Sequence, residues 1–262
     1  MDTQQLLDPL PVVAVFVLFA VIALVFYEGG FRLGRWWQAR TPDEKEGPTD
    51  MLVGSILALM AFLLAVTMGM ASDRFEARRG LVLAEANSIG TTYLRADFLP
   101  EPAATEMREL LREYAPLRVN VADLDERTAN FARSQELLAE MWAIAAEQEE
   151  SQAGSETFAL FIETLNETID LHETRVAAVV YGRVPETVIL LLIIGSALAV
   201  GMSGYRAGLT GRRSVLGAVV LIVFLGAVIT LVVDLDRPRR GFLTVSQQPL
   251  IDLIEQIGPP SP

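Results

Sequence analysis

Four long uncharged stretches divide this chain into apolar and polar parts. They run from Leu10 to Tyr27, from Met51 to Ser72, from Thr187 to Tyr205 and from Ser214 to Val233. Each stretch holds 18 to 22 residues, and a helix needs about 20 apolar residues to cross a hydrocarbon core of roughly 30 Å. The pattern therefore predicts four transmembrane helices.

The residues between the second and third stretches follow a helical pattern. Apolar positions recur there at steps of three and four, as in the series Phe158, Phe161, Leu165, Ile169, His172 and Val176. We expect the helix that carries this series to continue past Pro185 into the third membrane helix. The predicted fold class is an all-α membrane protein with four transmembrane helices and a helical extramembrane bundle inserted between helices 2 and 3.

The second membrane segment continues into charged sequence without a break. The stretch LLAVTMGMASDRFEARRGLVLAEANSIGTTYLRADFLP, residues 63 to 100, has no proline before its last position. It predicts one helix of about 48 residues from residue 51 to 99, roughly 70 Å long at a rise of about 1.5 Å per residue. Such a rod would transmit movement of the extramembrane bundle to the membrane segment.

The composition predicts four parts in the order of the chain. Residues 1–72 hold helices 1 and 2 with their connecting loop, 73–183 an acidic helical extramembrane module, 184–234 helices 3 and 4, and 235–262 a polar C-terminal tail. The acidic module contains 21 acidic and 11 basic residues, within a chain of net charge -12. Nucleic acid is therefore excluded as a partner, whereas cations would be concentrated near this module.

Neither catalytic nor metal-binding chemistry is indicated by the residues. The chain has no cysteine, and it lacks the GxSxG, P-loop, HExxH and GxGxxG motifs. Its single histidine, His172, lies on an apolar stripe, which favours a structural core histidine over the alternative of a pH switch. None of the four uncharged stretches holds Asp, Glu, Lys, Arg or His, which argues against a pump or a proton-driven stator. We therefore predict a protein that is not an enzyme and binds no cofactor or metal.

Small residues recur along one side of the second membrane helix, at steps of four, three, four and four. Such a stripe is typical of close packing between helices in lipid. In a second interpretation, it faces the pore of an oligomer, with neighbouring polar groups and the one phenylalanine of the segment. Both interpretations can hold for different faces of the helix. The candidate pore and packing residues are Gly54, Ser55, Ala58, Ala61, Phe62, Ala65, Thr67 and Gly69.

Charged residues cluster where the second and fourth helices leave the membrane. They could form a surface in contact with lipid headgroups. Alternatively, Asp234 and Asp236 pair with arginines of the second helix across the bundle, because a carboxylate directly after an apolar run needs a partner or water. The candidate residues are Arg74, Arg78, Arg79, Glu85, Asn87, Arg95, Asp97, Asp234, Asp236 and Arg237.

Two stretches of this chain, ASDRFEARRGLVLAEANSIGTTYLRADFLP and DLDRPRRGFLTVSQQPLIDL, resemble the bestrophin-like domain family of bacterial membrane proteins. The resemblance covers nearly the whole chain. It implies a likeness to bestrophins, which are pentameric channels with two membrane helices, a helical cytosolic region and two further membrane helices. The bestrophin aromatic neck has no residue-by-residue match, since Phe62 is the only aromatic residue of the second segment. The matching positions are Arg74, Arg78, Arg79, Glu85, Asn87, Ile89, Gly90, Arg95, Asp97, Pro100, Asp234, Asp236, Arg237, Pro238, Gln247 and Gln248.

These observations together predict a homo-oligomeric ion channel of the bacterial inner membrane, with a pore lined by transmembrane helix 2. The expected partners are the lipid bilayer, further copies of the chain in a pentamer or another ring, and small inorganic ions. An acidic vestibule favours cations, whereas the resemblance implies anions, so the selectivity stays open. The resemblance also implies a multi-pass protein whose acidic module is cytoplasmic. The alternative is a non-conducting membrane-anchored scaffold or sensor whose helical bundle binds a protein partner.

Overall fold

A computed structural model describes residues 7–41, 47–119, 124–238 and 241–259. These residues form α-helices joined by short turns, together with one 3-10 helix at Ala96–Phe98, and they contain no strand. The helices are α1 (Val12–Gln38), α2 (Gly47–Arg95), α3 (Ala103–Leu117), α4 (Leu124–Glu147), α5 (Glu156–Val180), α6 (Glu186–Thr210), α7 (Val215–Asp236) and α8 (Gln248–Ile257). Four of them, α1, α2, α6 and α7, are long and apolar enough to cross a membrane.

The chain forms two compact units. The first unit comprises residues 1–75 and 182–244, and the second comprises 76–181 and 245–262. Helix α2 contributes residues to both units, because it continues without interruption through 49 residues. The prediction of one unbroken helix from the apolar run into the charged sequence is confirmed.

The expected continuation of the fourth extramembrane helix into the third membrane helix is wrong. Helix α5 ends at Val180, and α6 begins at Glu186 after a short non-helical segment. Pro185 precedes α6 directly, and a residue before proline is sterically disfavoured in the helical conformation. The backbone amide of that residue, Val184, donates to the carboxylate of Asp236 at 2.6 Å.

Direct backbone contact between α1 and α6 organises the first unit. A Cβ atom at Gly30 would lie 2.0 Å from the carbonyl oxygen of Gly201, and one at Gly204 would lie 2.1 Å from that of Tyr27. Neither glycine can carry a side chain without separating the helices. A small-residue stripe was predicted on the second membrane helix and none on the first, so this contact was not predicted.

The remaining membrane-type helices pack around this pair. Met60 of α2 lies against Gly195 of α6. A Cβ atom at Gly195 would be 2.7 Å from the sulfur of Met60. One side of α2 is therefore covered by its neighbours. The core of this bundle is formed by Phe19 and Ala23 of α1, Leu64 of α2, Leu192 and Val200 of α6, and Ile222, Leu225 and Ile229 of α7.

The second unit has a separate apolar core to which the C-terminal residues contribute. The segment from residue 235 onwards was expected to be a polar tail, but residues 248–257 form α8. Leu250, Leu253 and Ile257 are buried on one face of this helix, because they recur at steps of three and four. The other core residues include Ile89, Met107, Leu111, Tyr114, Leu137, Met141, Phe161 and Leu165.

Replacing Gly30 by alanine should destabilise the protein, because the new methyl group must push α6 away. We expect the free energy of unfolding to fall by about 1–3 kcal/mol, as for other overpacked sites. Gly29→Ala is the matched control, because nothing lies within 4 Å of its Cβ position. Chemical unfolding in detergent micelles measures both variants, and equal stabilities would contradict the close contact.

Candidate functional site

The small-residue stripe of α2 is exposed along its length. A Cβ atom at Gly54 or Gly69 would meet nothing within 4 Å, and the side chain of Phe62 beside the stripe is 64% exposed. The opposite side of the helix is buried in the first unit. The exposed stripe consists of Gly54, Ala58, Ala61, Ala65 and Gly69, and the buried side includes Val53, Met60, Leu64 and Ala71.

Thr67 does not belong to this exposed stripe. It is 2% exposed, and its hydroxyl donates to the carbonyl oxygen of Leu63 at 2.8 Å. Two residues correspond to about 200° around a helix, so Thr67 points away from Ala65. Ser55 is exposed next to the stripe, with its hydroxyl donating to the carbonyl oxygen of Met51. The structure therefore keeps Ser55 and separates Thr67 from the predicted group.

The exposed face of α2 continues into the charged part of the helix. Asp73, Glu76 and Gly80 follow Gly69 at steps of four, three and four, and all of them are exposed. Two carboxylates therefore lie on the extension of the small-residue stripe, just after the apolar run. Glu76 is 3.6 Å from Arg79, in an exposed ion pair within the helix.

Arg183 is the centre of a charge network in the first unit. Its guanidinium donates to both carboxylate oxygens of Asp8, at 2.5 and 2.7 Å, and to Asp236 at 3.3 Å. Burial disfavours the charged form of Arg183, but the hydrogen bonds and charge of Asp8, followed by those of Asp236, outweigh this effect and raise its pKa. The arginine that meets Asp236 thus comes from the α5–α6 segment, and Arg74 of α2 donates to the carbonyl oxygen of Arg183.

Asp234 organises the chain after α7. Its two carboxylate oxygens accept hydrogen bonds from the backbone amides of Phe242 and Leu243, at 2.9 and 3.0 Å. A Cβ atom at Gly241 would lie 2.1 Å from the same carboxylate, so this turn requires glycine. Among the described residues, the hydrogen-bond partners of Asp234 are these backbone amides, whereas an arginine of the second helix was predicted. Arg237, also predicted, donates to the carbonyl oxygen of Leu7.

Glu85 is the centre of a buried network in the second unit. Its side chain is fully buried, and the Nε of Arg118 donates to it at 2.6 Å. Arg175 of α5 also donates to this carboxylate and, through its other terminal nitrogen, to Gln247 at 2.8 Å. The network therefore joins α2, the end of α3, α5 and the start of α8.

The other predicted residues lie at separate places in the second unit. Arg95 donates to the carbonyl oxygen of Leu160 at 2.6 Å, Asp97 pairs with Arg108, Asn87 is exposed and Arg78 is buried. The predicted charged residues thus belong to several local networks.

Sequence reasoning missed the basic partners Arg118, Arg175 and Arg183. A usable signal existed for Arg175, since it lies three residues after His172 on the same face of α5. The predicted stripe included Ile169 and Val176, each one residue away from the buried positions. The buried face consists of Phe158, Phe161, Thr164, Leu165, Thr168, His172 and Arg175.

His172 is fully buried in the second unit. Its Nδ1 is 3.2 Å from the hydroxyl of Tyr114, and its ring stacks on Phe131 at 5.4 Å between centroids. Burial, together with the positive charges of Arg118 and Arg175, lowers the pKa of His172 to about 3. A histidine that stays neutral at physiological pH supports the structural interpretation over a pH switch.

The helix order and the four apolar helices define a membrane protein of all-helical class. The family model described as "Bestrophin-like domain" matches residues 14–250, so the chain belongs to the bestrophin-like domain family. No curated protein matches the chain.

Solved structures share this fold. A bacterial bestrophin homolog from Klebsiella pneumoniae is 15% identical, with a TM-score of 0.64 over 94% of this chain and 96% of that one. A mutated form of that homolog gives a TM-score of 0.68 at 15% identity, over 94% of this chain and 95% of that one.

Replacing Glu85 by glutamine should destabilise the protein strongly. The variant keeps the shape of the side chain but leaves two buried guanidinium groups without their counter-charge. We expect the free energy of unfolding to fall by about 3–5 kcal/mol. The control is Glu76→Gln, whose exposed ion pair contributes about 0–1 kcal/mol. Denaturation in detergent, followed by helical circular dichroism, measures both; similar losses would contradict the role assigned to Glu85.

Acidification should lower the free energy of unfolding, because the pKa of His172 is lower in the folded than in the unfolded protein. The unfolded histidine has a pKa of about 6.5, whereas the folded value is about 3, so the unfolded chain alone takes up this proton between the two values. The stabilising contribution is complete above the unfolded pKa and is lost as the pH falls, at up to about 1.4 kcal/mol per unit.

Between pH values one unit above and one unit below the unfolded pKa, we expect the wild type to lose about 1 kcal/mol more than His172→Gln. Unfolding measured at both pH values for both proteins isolates this difference. An equal loss would mean that the folded histidine also takes up the proton.

Proposed function

We propose that this chain is one subunit of a homo-oligomeric ion channel whose pore is lined by α2. The observation that carries the proposal is the exposed stripe of glycine and alanine on a helix whose other side is buried. A ring of subunits would place this stripe around a central axis, where small side chains leave space for ions. Family membership supports the proposal, since the resemblance to bestrophins implies pentameric channels.

Phe62 offers a candidate constriction beside this stripe. Hydrophobic constrictions can gate a pore by excluding water, and Phe62 is the largest exposed side chain next to the small residues. Residues 51–72 contain no ionisable group. Selectivity in the proposed pore would therefore depend on charges outside the apolar run.

Asp73 and Glu76 are the candidates for those charges. They extend the stripe beyond the apolar run, and they begin the segment 73–183, which holds 21 acidic and 11 basic residues. In a ring, these carboxylates would be repeated once per subunit and would attract cations. The likeness to bestrophins favours anions instead. The reversal potential under asymmetric KCl decides between cation and anion selectivity.

We place the protein in the inner membrane of a bacterial cell, with residues 73–183 as an acidic cytoplasmic module between the two pairs of membrane helices. The four apolar helices support membrane insertion, and the cytoplasmic position is supported only by the resemblance to bestrophins. The ring of subunits is part of the same proposal.

A scaffold or sensor that does not conduct is the second candidate. Exposed apolar side chains on the second unit favour it, including Leu83, Leu94 and Trp142, which are 52%, 62% and 43% exposed. Such residues suit contact with a partner protein. The number of subunits separates the two functions, because a monomer or dimer could hardly enclose a central pore.

Currents through planar bilayers test the channel proposal. Purified protein under asymmetric KCl should give stepwise currents that empty vesicles lack. Ala65→Leu should change the unitary conductance, because it adds bulk to the exposed stripe, while Thr67→Val should leave it unchanged, because this buried position keeps its shape.

If Thr67→Val changed the unitary conductance and Ala65→Leu did not, the pore would lie on another face of α2. Silence of the wild-type protein across pH and voltage would contradict conduction and would favour the scaffold.

A further inference from the structure

Exposed arginine and tryptophan side chains gather at one end of the first unit. Helices α1 and α6 pack in parallel, so their C-terminal ends lie side by side. A Cβ atom at Gly208 would be 2.9 Å from the backbone nitrogen of Arg35. We call the following exposed set the tryptophan–arginine face: Arg35, Trp36, Trp37, Arg40 and Arg212.

Five further charged residues described near this end form ion pairs within the protein. Glu28 accepts a hydrogen bond from Arg32 at 2.8 Å and lies 3.2 Å from Arg213. Arg206 pairs with Asp50. These arginines therefore already have carboxylate partners.

Within the described ranges, three arginines of the tryptophan–arginine face have no such partner. Among the described residues, no carboxylate forms an ion pair with Arg35, Arg40 or Arg212. The guanidinium of Arg40 lies over the ring of Trp36, 3.7 Å from its centroid. Arg35 also complements the negative end of the α1 dipole, but Arg40 and Arg212 follow the ends of their helices. The face thus carries positive charge that the described part of the protein does not balance.

The length of α1 places this face at the depth of lipid headgroups. Its 27 residues span about 40 Å at a rise of about 1.5 Å per residue, whereas the hydrocarbon core is about 30 Å thick. The uncharged run ends at Tyr27, so the last turns of α1 lie beyond the core. Tryptophan side chains prefer this interfacial depth.

We infer that the tryptophan–arginine face binds the headgroups of anionic phospholipids. The planar guanidinium groups match the oxygens of a phosphodiester, and the two indole rings pack at the boundary between headgroup and acyl chain. An anionic lipid supplies the negative charge that the described carboxylates do not. The inference goes beyond the proposed function, since it holds whether or not the chain conducts ions.

Thermal unfolding in lipid nanodiscs tests this inference. Discs of phosphatidylcholine with phosphatidylglycerol should raise the unfolding temperature of the wild type relative to phosphatidylcholine alone. The triple variant Arg35→Gln, Arg40→Gln and Arg212→Gln should lose most of that rise. The matched control is Arg32→Gln with Arg206→Gln and Arg213→Gln, which removes the same amount of charge from the same end. This control should keep the rise in unfolding temperature.

An undiminished rise in the first triple variant, or equal losses in both, would overturn the inference. If the triple variant does not fold, the three single variants are measured, and each should lose part of the rise. Native mass spectrometry should show fewer retained phosphatidylglycerol molecules on the same variants. Soluble glycerol phosphate added to phosphatidylcholine discs should have no effect; an equal rise would indicate a site for free phosphate and would overturn the assignment to lipid.

Discussion

The backbone contact between α1 and α6 is the constraint on which the first unit depends. Glycine at Gly30 and Gly204 lets the two helices approach until each backbone touches the carbonyl groups of the other. In lipid, such contacts supply van der Waals packing where no hydrophobic driving force exists between apolar helices. Helix α2 instead packs through longer side chains such as Met60, and the small residues of its stripe, from Gly54 to Gly69, remain exposed. Small residues therefore bring α1 and α6 into direct contact, whereas on α2 they form an exposed stripe.

The buried carboxylates of Glu85 and Asp236 lie together with charged partners. Glu85 lies between Arg118 and Arg175, and Asp236 accepts hydrogen bonds from Arg183 and a backbone amide. Burying an isolated carboxylate would be costly, whereas a fully hydrogen-bonded group is tolerated. Both networks join elements that are distant in sequence, and the one around Glu85 includes Gln247 at the start of α8. This network holds the start of α8, and the helix packs through its buried residues Leu250, Leu253 and Ile257.

The sequence predicted features that depend on local patterns and missed those that depend on distant partners. The four uncharged stretches were sufficient to predict the membrane helices, and the absence of proline was sufficient to predict the unbroken α2. The motifs from Asp73 and from Asp234 identified the family. By contrast, the partners of Glu85 lie 33 and 90 residues away, and no spacing rule connects them. Thr67 was predicted as a polar group adjacent to the small-residue stripe, although helical geometry places it on the side opposite to Ala65.

The central claim, that the exposed face of α2 lines a pore, is tested most directly by single cysteines. The chain contains no cysteine, so each introduced thiol reports one position. A charged methanethiosulfonate reagent should change the current through Ala58→Cys and Ala65→Cys channels and should leave that through Leu64→Cys unchanged. Modification of Leu64→Cys alone, with both alanine positions insensitive, would contradict the account.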